Sequence, residues 1–131
     1  MTDLSINRFG HIDLRVTNAE EATKFYGQFL PALGFTRTFH GNGWYAYAGE
    51  GELPQVAYFA LTEDPAHVPN ANRIAFWAES PEEVDRIGEV VRAAGGRNIE
   101  GPEKCPYSPS YYAVFFEDPS GNRLEVYYRV D

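Results

Sequence analysis

The chain has 131 residues, of which 44% are hydrophobic and 15% aromatic, and its formal charge is −8. This length predicts one compact domain, and the negative charge argues against a nucleic-acid backbone as partner. No apolar run approaches membrane-spanning length, the first residues lack a signal-peptide pattern, and a lone cysteine fits a reducing compartment. We therefore expect a cytoplasmic protein with no membrane or nucleic-acid partner.

The two halves of the chain repeat one pattern. Each half begins with an alternating strand, continues with a capped helix and ends that helix at glycine. The equivalent positions are His11 and Arg73, Asn18 and Ser80, and Gly34 and Gly96. Such a repeat predicts two similar structural modules.

The first module, about residues 8–62, opens with "HIDLRV", in which apolar and polar residues alternate as in a half-buried strand. Asn18 is a typical N-cap for the next segment, where an apolar stripe predicts a helix with one buried face. "FTRTFH", "WYAYAG" and "QVAYFAL" then predict three strands. In the last of these strands we expect Val56 and Tyr58 to face the helix.

A polar linker interrupted by prolines, about residues 62–71, leads to the second module, about residues 72–130. There "RIAFWA" predicts a strand, Ser80 with Pro81 begins a helix, and glycines end it. "RNIEG", "YYAVFFED" and "RLEVYYR" predict three more strands, the last two joined by a "DPSGN" turn. Each module is therefore β-α-β-β-β. Because one helix covers only one face of such a sheet, the other face must border a partner or a cavity.

This arrangement resembles the vicinal oxygen chelate superfamily, which includes glyoxalase I, extradiol dioxygenases, fosfomycin-resistance proteins and bleomycin-binding proteins. The resemblance rests on "HIDLRV" followed by "FYGQFLPALGF", on "RIAFWA" followed by "AAGG", and on the closing "YYAVFFEDPSGNRLEVYY". It implies a single α+β domain, residues 1–131, in which two β-α-β-β-β modules form a curved mixed sheet around a cavity.

Many members of that superfamily hold one divalent metal in the cavity, at positions that match His11, Gln55, Arg73 and Glu125 here. Gln55 is placed by aligning "PQVAYFA" with "RLEVYYR". Histidine, amide and carboxylate groups suit zinc, nickel, manganese or iron. Arginine, however, stays protonated and has no lone pair to donate. The resemblance thus implies a metal site of His11, Glu125 and Gln55 that Arg73 weakens.

Other interpretations of these positions stay open. Arg73 could replace the metal and form a buried, bidentate pair with Glu125, and His11 could be a purely structural histidine. Strand alternation predicts further side chains that bind a ligand in the cavity: Arg15, Phe59, Trp77 and Tyr127. "SPSYYAVFF" adds Tyr111, and we expect Gln55 to contact the ligand as well. His40 and His67 lie in turn and linker segments, where we expect them to be exposed.

The same residues allow three functions. The first is a small-molecule binding module like the bleomycin-binding relatives, which needs no intact set of metal ligands. The second is a metal-dependent lyase, isomerase or dioxygenase acting on a substrate with vicinal oxygens. The third is metal-free catalysis, in which Arg73 stabilises an oxyanion while His11 or Glu125 moves a proton. We expect the binding module, with a degenerate metal site, and the exposed sheet edges predict a homodimer.

Overall fold

The computed structural model describes residues 7–52 and 54–131, so the first six residues, where no signal pattern was found, lie outside the described part. The predicted elements form in the predicted order. Module 1 consists of β1 (His11–Val16), α1 (Ala19–Ala32), β2 (Arg37–Gly41), β3 (Trp44–Ala48) and β4 (Tyr58–Glu63). Module 2 consists of β5 (Arg73–Trp77), α2 (Pro81–Ala94), β6 (Arg97–Lys104), β7 (Tyr112–Glu117) and β8 (Arg123–Tyr128). The α+β prediction of two β-α-β-β-β modules is confirmed.

Each module forms its own four-stranded mixed sheet. The strand orders are β1-β4-β3-β2 and β5-β8-β7-β6. The first two strands of each order are parallel, and the other neighbours are antiparallel. Both β1 and β5 are therefore edge strands, and among the described residues neither pairs with the other sheet.

Both helices begin at the predicted caps. The Asn18 side chain accepts a hydrogen bond from the Glu21 N–H at 2.9 Å, and the Ser80 hydroxyl accepts one from the Glu83 N–H at 3.1 Å. Helix α2 ends at Gly95, whose φ of 95° is the left-handed conformation that glycine adopts without a Cβ clash. In the described residues, no helix is both long and apolar enough to cross a membrane.

One hydrophobic core joins the two modules. Helices α1 and α2 pack against each other, and Phe29 of α1 lies edge-on to Phe76 of β5 and to Phe116 of β7. Phe59 of β4 also meets Phe76, with ring centroids 5.7 Å apart. Because these rings come from both halves, neither module keeps an intact core alone.

The "DPSGN" turn between β7 and β8 ties module 2 to module 1 through buried polar groups. Asp118 is fully buried and accepts hydrogen bonds from the Tyr26 hydroxyl at 2.6 Å and from the Asn122 backbone at 2.9 Å. The Asn122 amide nitrogen donates to the Arg15 carbonyl, also at 2.9 Å. The Asn122 amide oxygen lies 2.8 Å from the His67 ring. His67 is therefore half-buried, and the expectation that it is exposed is wrong.

The helices cover one face of each sheet, and we call the opposite face the open face. In module 1 the open face carries residues of β1 and β4: His11, Asp13, Arg15, Tyr58, Ala60 and Thr62. In module 2 it carries residues of β5, β8 and β7: Arg73, Ala75, Trp77, Arg123, Glu125, Tyr127, Ala113, Phe115 and Glu117.

Candidate functional site

A buried carboxylate stands on the open face of module 2. Glu125 lies in the middle of β8, directly opposite Ala75 of β5 and Phe115 of β7, and it is only 6% exposed. Its Oε2 accepts a hydrogen bond from the hydroxyl of Tyr111, which precedes β7. Because a buried carboxylate is costly without donors, this hydroxyl is what stabilises Glu125 within the chain.

Aromatic rings surround that carboxylate. The Tyr111 ring stacks on Tyr127 with centroids 5.2 Å apart, and Tyr107 meets Tyr111 edge-on. Burial, followed by the hydrogen bond to Glu125, raises the pKa of the Tyr111 hydroxyl well above its usual value. Tyr111 therefore acts as a neutral hydrogen-bond donor at physiological pH.

Arg73 lies beside this group without joining it. Its guanidinium carbon is 4.9 Å from the centre of the Phe115 ring, a cation–π contact. Within the described part of the chain, Arg73 donates no side-chain hydrogen bond and has no carboxylate within 4.0 Å. The predicted ion pair between Arg73 and Glu125 is wrong for this structure.

The parallel register sets how Arg73 and Glu125 are placed relative to each other. Arg73 is opposite Arg123, and Glu125 is opposite Ala75. The side chains of Arg73 and Glu125 are therefore offset by two residues along the open face. A strand spacing of about 4.8 Å combined with a two-residue rise of about 6.6 Å separates their Cα atoms by about 8 Å. The guanidinium instead extends across β8 and packs on the Phe115 ring of β7.

The residues predicted from module 1 lie elsewhere. His11 is on the open face of module 1, where its ring stacks on Tyr58 with centroids 4.3 Å apart. Gln55 lies exposed in the turn before β4, so its placement on a strand is wrong. The residue opposite Asp13, which corresponds to Ala75 in the repeat, is Ala60. Ala60 is therefore the module 1 counterpart of Glu125, and it offers no ligand atom.

The prediction of which β4 side chains face the helix is wrong by one residue. Phe59, expected in the cavity, is buried in the core against Tyr26, and Tyr58, expected to face the helix, lies on the open face. A slip of one residue reverses every side chain of a strand, which explains both errors. The other predicted ligand-binding residues do lie on the open faces or border them: Arg15, Trp77, Tyr111 and Tyr127.

Two features of the site were not predicted. Phe115 shares the open face with Tyr111 and Glu125, and the alternation in "YYAVFFED" contains the signal for it. The second feature is a cleft of about 260 Å³ on the open face of module 1. It is lined by Arg37, Phe39, Trp44, Ala46, Ala48, Val56 and Tyr58.

Comparison with known proteins assigns the family. A model of the Glyoxalase/Bleomycin resistance protein/Dioxygenase superfamily matches residues 8–126. The chain belongs to this superfamily. The uncharacterized protein YqjT of Bacillus subtilis (strain 168) is 30% identical over 126 residues, which cover 88% of this chain and 94% of YqjT.

Solved structures of the superfamily share the fold. A glyoxalase/bleomycin resistance protein from Albidiferax ferrireducens T118 superposes with a TM-score of 0.77 at 27% identity, covering 95% of this chain and all of that one. The fosfomycin resistance protein FosX from Mesorhizobium loti superposes with a TM-score of 0.67 at 16% identity. The latter match covers 95% of this chain and 94% of FosX, and it shows likeness of fold alone.

The residues of one chain do not fit the metal that the superfamily often holds. Among residues 7–52 and 54–131, no three His, Cys, Asp or Glu side chains converge as a metal site would require. Arg73 cannot ligate, one oxygen of Glu125 is already hydrogen-bonded to Tyr111, and His11 belongs to the other sheet.

Proposed function

We propose that this superfamily member is a binding protein that holds a small molecule on the open face of module 2. One observation carries the proposal: a guanidinium that has no anionic partner among residues 7–52 and 54–131 lies next to a buried carboxylate with a single donor, and both are among aromatic rings. A buried carboxylate with a single donor costs stability, and proteins retain such a group where a ligand completes its pairing. Arg73 is exposed and supplies the opposite charge beside it.

The surrounding side chains suit a ligand with an aromatic or apolar body. Trp77 is 68% exposed, which is unusual for so large a ring, and its cross-strand neighbour on the same face is Tyr127. Exposed rings beside a few polar groups are typical of small-molecule sites. A ligand that stacks on Trp77 would remove apolar surface of both partners from water.

A homodimer accounts for the surfaces that one chain leaves uncovered. Strands β1 and β5 are edge strands, and their residues, apart from Val16, are exposed or half-exposed on both faces. Among the described residues, the contacts between modules run through the core and the β7–β8 turn, not between the open faces. A second copy that pairs along these edges would cover them and enclose the site. Light scattering that gives the mass of one chain at micromolar concentration would contradict the dimer.

Binding without turnover is favoured over the metal-dependent lyase, isomerase or dioxygenase. That alternative requires ligands beyond His11 and Glu125, and the described residues of one chain supply no third group. Titration with Ni²⁺, Zn²⁺, Mn²⁺ and Fe²⁺ tests it directly. Stoichiometric metal that is lost in both His11→Ala and Glu125→Ala would support the enzyme and contradict the binding protein.

The binding proposal is tested with the fluorescent anion 8-anilinonaphthalene-1-sulfonate, added to folded protein. We expect one saturable site per chain, energy transfer from Trp77 that is lost in Trp77→Phe, and affinity that falls roughly tenfold in Arg73→Gln, because a charge-assisted contact is removed. Trp44→Phe is the matched control, since Trp44 lies on module 1. Absence of saturable binding, or equal affinity in Arg73→Gln, would refute the site.

A further inference from the structure

We infer that the ligand of this site is a zwitterion, an α-amino acid with an aromatic or apolar side chain, whose ammonium group binds Glu125 and whose carboxylate binds Arg73. The inference rests on the proposed binding function and specifies its ligand. It follows from what each of the two charged groups lacks and from the register that places them together.

Glu125 has a free oxygen that faces the site. Tyr111 donates to Oε2 only, and no other described residue donates to either oxygen. Ser108 Oγ is the single enclosed side-chain polar atom without a partner in the described part of the chain. Oε1 of Glu125 is therefore reachable from the open face. A buried carboxylate with one neutral donor is best completed by a cation that donates N–H groups.

The rings beside Glu125 also favour a cation. Tyr111 and Tyr127 are stacked, and the guanidinium carbon of Arg129 already lies 6.0 Å from the centre of the Tyr111 ring. Aromatic faces attract cations through their quadrupole, most strongly where water is excluded.

Arg73 is exposed and offers the opposite charge. Its guanidinium rests on Phe115, which leaves the N–H edge of the guanidinium without a protein acceptor among the described residues. The two parallel N–H groups of a guanidinium can donate to both oxygens of a carboxylate in a bidentate pair.

The register keeps the two groups close but separate. Phe115 beneath the guanidinium is the direct cross-strand neighbour of Glu125. The guanidinium and the carboxylate thus flank one position while staying more than 4.0 Å apart. An α-amino acid carries its ammonium and carboxylate on one carbon and can reach both. A ligand with a single charge would leave one protein group uncompensated and would be repelled by it.

Three ligands with the same aromatic body test the inference by titration calorimetry: L-phenylalanine, 2-phenylethylamine and 3-phenylpropanoate. We expect phenylalanine to bind at least roughly tenfold more tightly than either analogue, because each analogue lacks one charge-assisted contact.

Two variants assign the contacts. In Glu125→Gln the advantage of phenylalanine over phenylpropanoate should disappear, and in Arg73→Gln its advantage over phenylethylamine should disappear. The matched controls are Glu89→Gln and Arg92→Gln, both on the exposed surface of α2. Both controls should keep the ranking of the three ligands. If Glu125→Gln fails to fold, the ranking with the unaltered protein still decides the inference.

Phenylpropanoate or phenylethylamine binding as tightly as phenylalanine would overturn the zwitterion. So would an unchanged ranking in folded Glu125→Gln. If none of the three ligands binds while anilinonaphthalene-sulfonate still saturates the site, the inference fails and the binding function stands. If the dye does not bind either, the proposed function fails as well.

Discussion

The hydrogen bond between Tyr26 and Asp118 predicts how strongly the two modules depend on each other. Tyr26 is a fully buried residue of α1, and its hydroxyl donates to Asp118 at 2.6 Å across the boundary between modules. Tyr26→Phe removes this donor without changing the ring packing. A hydrogen bond to a charged group contributes about 1.5–3 kcal/mol. Asp118 keeps its donors from Ser120 and Asn122, so we expect a loss of about 2 kcal/mol in the free energy of unfolding.

For a domain of this size such a loss lowers the melting temperature by roughly 6–10 °C. Urea unfolding followed by circular dichroism measures the free energy, with an unchanged m-value as evidence that the folded structure is the same. Tyr107→Phe is the matched control, because the Tyr107 side chain is 66% exposed and donates no hydrogen bond among the described residues. Equal stability of the two variants would refute the idea that this bond couples the modules.

Three further predictions concern pH, the site and the end of α2. Burial, with Asp118 nearby, raises the pKa of Tyr26 above its usual value of 10.0, so the folded protein holds this proton more tightly than the unfolded chain does. Its contribution to stability is complete below about pH 10 and is lost as the pH rises further. Above about pH 10 the free energy of unfolding should therefore fall less steeply in Tyr26→Phe than in the unaltered protein. Glu125→Gln should cost about 1 kcal/mol or less, because the Tyr111 hydroxyl can still donate to the amide oxygen. Gly96→Ala should cost about 1–3 kcal/mol, since a Cβ there would clash with the Val91 side chain and lie 3.1 Å from its carbonyl oxygen.

Each of these predictions has a result that contradicts it. Parallel stability curves for Tyr26→Phe and the unaltered protein above pH 10 would show that this proton is not linked to folding. A loss of about 3–5 kcal/mol in Glu125→Gln would indicate a buried ion pair after all. For Gly96→Ala the control is Gly10→Ala, where a Cβ would meet nothing within 4 Å, and equal stability of these two variants would remove the steric argument.

The elements of the fold could be predicted because their signals are local. Alternation in "HIDLRV" and "RIAFWA", the caps Asn18 and Ser80, and the "DPSGN" turn each depend on residues a few positions apart, and all of these form as expected. The chemical argument about Arg73 also needs no coordinates, because a guanidinium has no lone pair to donate in any environment. The two modules were thus predictable from residue types and spacing.

The partners of the site residues depend on register between strands that are distant in sequence. Arg73 and Glu125 carry complementary charges, yet the β5–β8 register offsets them by two residues. Glu125 accepts a hydrogen bond from Tyr111 instead. In β4, where aromatic and small residues follow one another without clear alternation, a shift of one residue exchanged Phe59 and Tyr58 between the core and the open face. Register is decided by the summed packing of both modules around α1 and α2, which no short stretch of sequence encodes. For that reason only the tertiary structure shows which charged groups remain without a partner.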